Sequence, residues 1–406
     1  MLIRLYKQAY SGLSRNSWYL CAVMLINRSG TMVLPFMTIY CTHQLHFSIK
    51  EAGAVMGVYG AGAVAGAFIG GKVTDRIGFY DLQVFALLSG GCLFMLLGFQ
   101  HTLLSMAVVT FILSMCNESV RPANNAAIAQ YSTAETRTRS FSLNRLAINL
   151  GWAFGGGLGG FLASINYHLL FWVDGCTNIF AALMLLWLLP RTKPISSAHI
   201  DKAIKKASSA YRDHVYLVFI LLTILFGMCF FQLFAMQPVF YKTQWGLTER
   251  YIGLTMTVSG LLITVCEMLI VHNLEGKRHE LQYAAIGALI VGVSFSSLNI
   301  LPVGAAMAML VAVILTIGEM VAMPFMSTFW IKRTTDFNRG QYAALFTMAW
   351  STAQVLGPVL AGLIIEHAGF VFFWWLVGAL CLAVSLGFGA LHWVAGKEKP
   401  IATTSS

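Results

Sequence analysis

The stretch Gly71-Lys72-Val73-Thr74-Asp75-Arg76-Ile77-Gly78 is an island of charge between two apolar runs, 51–71 and 81–99. Each run approaches the ~20 residues that a helix needs to cross a hydrocarbon core about 30 Å thick. The octet therefore reads as a tight polar turn at a membrane surface, its glycines permitting the reversal and Asp75 and Arg76 facing water. Outward from it, the same ruler predicts twelve spans: 17–41, 51–71, 81–99, 103–124, 141–164, 169–189, 214–241, 251–272, 281–300, 304–328, 341–365 and 370–394. The runs are continuous rather than alternating in short pieces, so helices are expected and a barrel is not.

The spans repeat. One offset aligns Pro122 with Pro324, Arg137 with Arg339, Gly155-Gly156 with Gly357-Pro358, Gly160 with Gly362, and Phe171-Trp172 with Phe373-Trp374. An offset two residues shorter aligns Gly53 with Gly253, Gly60 with Gly260 and Asp75 with Glu275. A doubling of half a chain in apolar sequence implies two matched bundles with a site between them. The expected division is 1–190 and 214–396, six spans each, with a polar linker at 191–213 and a tail at 397–406. The Lys-rich part of the linker reads either as a solvated connector or as a short amphipathic helix on an anionic leaflet.

Composition agrees. Charged residues make up 10% of the chain and hydrophobic ones 58%, against about 25% charged in a soluble domain. Apart from Lys50, Lys242, Arg250 and the membrane-embedded Arg28 and Arg121, every Lys and Arg falls on the side of the two termini. That asymmetry predicts both termini in the cytoplasm. The net charge of +10 then reflects topology and gives no reason to expect nucleic-acid binding. None of the cysteines has CxxC or Cys/His spacing, so neither disulfides nor a metal site is expected. Span 1 is too long for a cleaved signal and lacks a small-residue cleavage site. No Walker-type motif and no nucleophile–base pair at membrane depth appears, which argues against an ATP-driven pump or an enzyme, and no cofactor is expected.

The octet at 71–78 resembles the GxxxDRxG signature of the major facilitator superfamily, in the family's position after span 2. Phe79 and Tyr80 stand where basic residues usually follow. Span 5 carries Gly151-Trp152-Ala153-Phe154-Gly155-Gly156-Gly157-Leu158-Gly159-Gly160, similar to the GxxxGPxxGG signature of the antiporter branches, with Gly156 in place of proline. Span 11 keeps that proline in Gly357-Pro358. The stretches 34–40 (LPFMTIY) and Asn149-Leu150-Gly151-Trp152 resemble the drug:proton antiporter-1 branch. The resemblance implies a twelve-helix fold of two pseudo-symmetric six-helix bundles and a gate built from Gly71, Asp75, Arg76 and Gly78. It also implies close helix packing at Gly151, Gly155, Gly156, Gly159, Gly357 and Pro358, and a bacterial cytoplasmic membrane location.

An ionisable group at the bilayer centre costs at least about 2.5–3.5 kcal/mol, so each one asks for a function. The proton-coupling candidates are Glu118, Glu319, Glu267 and Asp174, the last read also as an interfacial anchor. By resemblance spans 1, 4, 7 and 10 line the cavity, which would place Arg28, Glu118, Arg121 and Glu319 on one cleft. Glu118 and Arg121, three apart on a helix, are equally read as a structural pair. Substrate-cavity candidates are Arg28, Asn27, Arg121, Tyr40, Gln232, Gln237 and Gln354, with Phe231, Phe234 and Tyr241 beside them. A fixed cation in span 1 points to an anionic or zwitterionic substrate, or else Arg28 only holds a carboxylate. The expected function is proton-coupled export of small amphipathic compounds by a monomer. The alternatives are a nutrient or siderophore importer and a non-transporting receptor.

Overall fold

The computed structural model describes residues 12–133, 136–191, 210–334 and 339–395. The expected tail at 397–406 and the Lys-rich part of the linker lie outside these. All regular structure among the described residues is helical. Among the described residues, eleven helices are long and apolar enough to cross a membrane, and the last of them runs to 55 residues. At 1.5 Å per residue that is more than twice a bilayer core. Gly369, at φ 76°, breaks it into spans 11 and 12, which brings the count to the expected twelve. Outward-facing Phe68, Phe85, Trp187 and Leu386 are among the exposed apolar side chains that lipid would solvate.

The octet at 71–78 is not a loop. Span 2 (Ile49–Ile77) stays helical through Ile77, and span 3 (Phe79–Leu97) starts one residue later. Gly78 alone turns the chain, at φ 93°, a left-handed conformation that disfavours any side chain. The Asp75 side chain, part of the expected gate, and the Arg137 side chain lie outside the described set.

Two spans are broken where continuous helices were expected. Span 1 runs Arg15–Ser29, interrupts at Gly30–Met32, resumes as Val33–Ile39 and ends in a wide π-turn to Gln44. Span 7 divides into His214–Phe230, Gln232–Ala235 and Gln237–Thr243. The two breaks occupy matching places in the repeat. Broken helices at membrane depth are tolerated where they are buried in protein or line a cavity.

Span 5 (Arg137–Ile165) is the pivot of the packing. Gly151, Gly155 and Gly159 face span 1, lying against Arg28, Ser29 and Met32. Gly156 and Gly160 face span 8 (Glu249–Leu274) in the other half. A Cβ on Gly160 would sit 2.8 Å from the Gly253 Cα, and one on Gly53 of span 2 would sit 2.6 Å from the Pro358 oxygen of span 11. The repeat-related glycines are therefore the points where the halves meet. Gly357 packs on Met228 of span 7, as Gly155 packs on span 1.

Outside the spans, Asp213 caps span 7 by accepting the Tyr216 N–H, and it also binds Arg333 and the Tyr342 hydroxyl. Burial alone would raise this carboxyl. The hydrogen bonds from Arg333, Tyr216 and Tyr342 outweigh it and hold the group below the usual carboxylate range.

Candidate functional site

The halves enclose a cavity of about 560 Å³. Its first-half wall is polar, with Asn27, Arg28, Asn117, Glu118, Arg121 and Asn144 among its residues. The second-half wall is largely aromatic, formed by Phe231, Phe234, Phe346 and Trp350 with Gln354 at its edge. Asn27 is oriented from behind: its Nδ2 donates to Asn178 Oδ1 at 2.9 Å, and Asn178 Nδ2 donates to the Asp174 carbonyl. Arg28 stands in the last turn before the span 1 break, and its buried Nε has no partner among the described residues. Glu118 and Arg121 form an ion pair at 3.0 Å. The Arg121 side chain is 63% exposed while that of Glu118 is 11% exposed, so the cavity opens toward the face where span 1 begins.

A second cavity of about 340 Å³ lies beside the first. Trp152, Phe234, Phe231 and Trp350 line both and form the partition, with Trp152 and Phe234 ring centroids 5.5 Å apart. Among the described residues, Glu319 of span 10 (Ala305–Lys332) is the one charged residue lining this smaller cavity. Its carboxylate makes no hydrogen bond or ion pair among the described residues. The expected single cleft for Arg28, Glu118, Arg121 and Glu319 is thus two compartments. The first three share the larger one, and the aromatic partition puts Glu319 in the other.

The far face is sealed. Beyond the glycine contacts, the Tyr167 hydroxyl donates to Glu249 Oε1 at 2.6 Å, Lys242 pairs with the same carboxylate at 2.8 Å, and Arg250 donates to Ser164 Oγ. Tyr167 and Ser164 belong to the first half and Glu249 and Arg250 to the second. Toward the near face, Arg145 of span 5 pairs with Glu267 of span 8. Sequence reasoning missed both links, although Lys242 and Glu249 flanking one short turn were a usable signal.

The remaining predicted residues divide. Gln237 lines the smaller cavity and Gln354 the larger. Tyr40 lines neither, being packed against Tyr167, His168 and Phe171. Gln232 is also absent from both, its Nε2 turned back onto the Met228 carbonyl. Glu267 is held in an ion pair, because Arg145 reaches it across the interface. Asp174 is neither interfacial nor cavity-lining. It is 0% exposed, and its carboxylate accepts the Met32 N–H at 2.9 Å and the Val33 N–H at 2.8 Å. A carboxylate there satisfies the orphan donors and the positive end of the resumed helix.

Comparison with known proteins agrees with this architecture. The family model described as Major Facilitator Superfamily matches residues 19–351. A Na(+), Li(+), K(+)/H(+) antiporter of Planococcus maritimus is 25% identical over 89% of this chain and 92% of its own. Multidrug resistance protein 1 of Bacillus subtilis (strain 168) is 22% identical over 82% of this chain and 85% of its own. Among solved structures, a POT family transporter in complex with 5-aminolevulinic acid superposes with a TM-score of 0.79, covering 96% of this chain and 98% of that one. At 15% identity, that likeness concerns the fold alone.

Proposed function

The chain belongs to the major facilitator superfamily, and from that premise we propose that it is a proton-coupled exporter of small amphipathic anions or zwitterions. It is a multi-pass membrane protein of a transporter family. The observation that carries the finer reading is a polar cavity between two matched halves, sealed at one face and open at the other. In this reading 1–190 and 214–396 are the moving bodies, joined by 191–213 and followed by the tail at 397–406. The Lys and Arg distribution supports a bacterial cytoplasmic membrane with the open face inward. The names of the antiporter and multidrug relatives support export. The protein acts as a monomer, with lipid, protons and one small molecule as its partners.

Arg28, with an unpaired Nε, takes the anionic group. The exchangeable proton rides on Glu319 or Glu118. Glu319 has no standing partner, whereas Glu118 shares Arg121, so rearrangement of either compartment would change how well a charge is tolerated there. Gly156, where the antiporter signature has proline, favours import as the second reading.

The test is purified protein in liposomes with an imposed pH gradient and a panel of anionic and zwitterionic amphiphiles. Gradient-driven flux is expected, abolished by a protonophore. Glu319→Gln or Glu118→Gln should slow it at least about tenfold, roughly 1.4 kcal/mol in barrier. Undiminished coupled flux in both variants would sink the assignment.

A further inference from the structure

We propose that His43 makes the far-face seal sensitive to pH, its protonation loosening the contact between the two halves. The residue sits in the wide π-turn Tyr40–Gln44 that ends span 1. Such turns widen a helix locally and recur at functional sites. Here the turn lies against the seal: Tyr40 packs on Tyr167, whose hydroxyl donates to Glu249, and Glu249 pairs with Lys242. His43 is exposed and makes no hydrogen bond or ion pair among the described residues. Two charges of the second half, Lys242 and Glu249, act on it across the interface, as does His46 from its own loop. Of the other groups nearby, His168 of span 6 lies against Tyr40, and Glu51 of span 2 is committed to the Ser48 N–H. Lys50, beside Glu51, is exposed.

A neutral imidazole in that place leaves the seal undisturbed. A protonated one gives up part of its hydration and meets Lys242 as a like charge. It finds Glu249 already holding Lys242 and the Tyr167 hydroxyl. Lys242 therefore acts on it more strongly than Glu249 does. Opening the far face parts His43, in the first half, from both second-half charges and returns it to water. The open form binds the proton more tightly, so by linkage acid favours opening. The sealed form has its full advantage above the ordinary imidazole range, about pH 6.5, and loses it as pH falls through that range. The effect is modest, because water screens charges on an exposed group. Its physiological meaning rests on the transport reading: acid on the far side would unlatch the face through which the coupling proton enters. The test does not depend on flux.

Spin labels at the far ends of spans 5 and 8 report the opening in the full chain. The protein is held in nanodiscs of neutral lipid, without substrate, at about pH 8 and about pH 5.5, on either side of the imidazole range. The open population should rise about threefold at the lower pH. His43→Gln should abolish that rise and keep the sealed distribution of the higher pH, which shows the fold intact. His43→Arg, charged throughout, should be more open at both values and indifferent to pH. Lys242→Gln frees Glu249 for the imidazolium, so acid should then tighten the seal instead of loosening it. A rise that survives His43→Gln, loosening that persists in Lys242→Gln, or no rise in the unmodified protein overturns the proposal. Coupled flux with a far face indifferent to pH would overturn it alone. Acid-driven opening that requires His43, without coupled flux of any substrate, would overturn the transport reading alone.

Discussion

Asp174 carries the N-terminal end of a resumed helix, and Glu267 answers an arginine from the other half. Both are acids at membrane depth, and both earned attention from sequence on cost alone. What each does was not legible, because a partner more than a hundred residues away decides it. The same blindness misplaced Tyr40 and Gln232, whose polar ends say nothing about which way a helix is rotated. By contrast Arg28, Asn27, Glu118 and Arg121 could be grouped from sequence, since they sit on spans that any such fold turns inward. For Asp174 the expected result of substitution is structural. Asp174→Ala should destabilise the protein by about 1–3 kcal/mol, the cost of buried donors left unpaired, seen as a lower unfolding temperature in detergent. Flux in the folded fraction should remain coupled to protons. Uncoupled flux with unchanged stability would make Asp174 a proton carrier after all.

The positions of the spans were readable because hydropathy and bilayer thickness fix their apolar parts, whereas spans 2 and 4 continue as helix well past their expected ends, to Ile77 and Tyr131. The interruptions were not, because a broken helix and a continuous one have the same hydropathy. Only Gly30 and the prolines at Pro35 and Pro238 hinted at them. The repeat was more informative than its glycines seemed individually. Gly53 with Gly362, and Gly253 with Gly160, are the pairs that touch across the two interfaces. Side chains there must push whole helices apart. Gly160→Val should therefore hold the far face ajar and reduce flux at least about tenfold in protein that still folds. Gly389→Ala, where an added methyl meets nothing within 4 Å, should be silent. Equal activity of the two variants would show that the interface yields.

For the molecule as a whole, the balance between open and sealed faces depends on few polar links. Loss of the Tyr167 to Glu249 hydrogen bond should release roughly 1.5–3 kcal/mol of far-face closure, as for bonds to charged groups. In Tyr167→Phe the population open at the far face should rise by about tenfold or more, measured by spin-label distances between the far ends of spans 5 and 8. An unchanged distance distribution would assign the closure to glycine packing alone. Meanwhile the near face is not equally free all round its rim. Spans 5 and 8 are tied there by Arg145 and Glu267, while Arg121 and Thr347 on the opposite flank are exposed. One laced edge turns a round aperture into a lopsided slit. In the transport reading proposed above, cargo would enter obliquely, along the flank of spans 4 and 11, and a rigid molecule too broad for that gap would be turned away before any recognition begins.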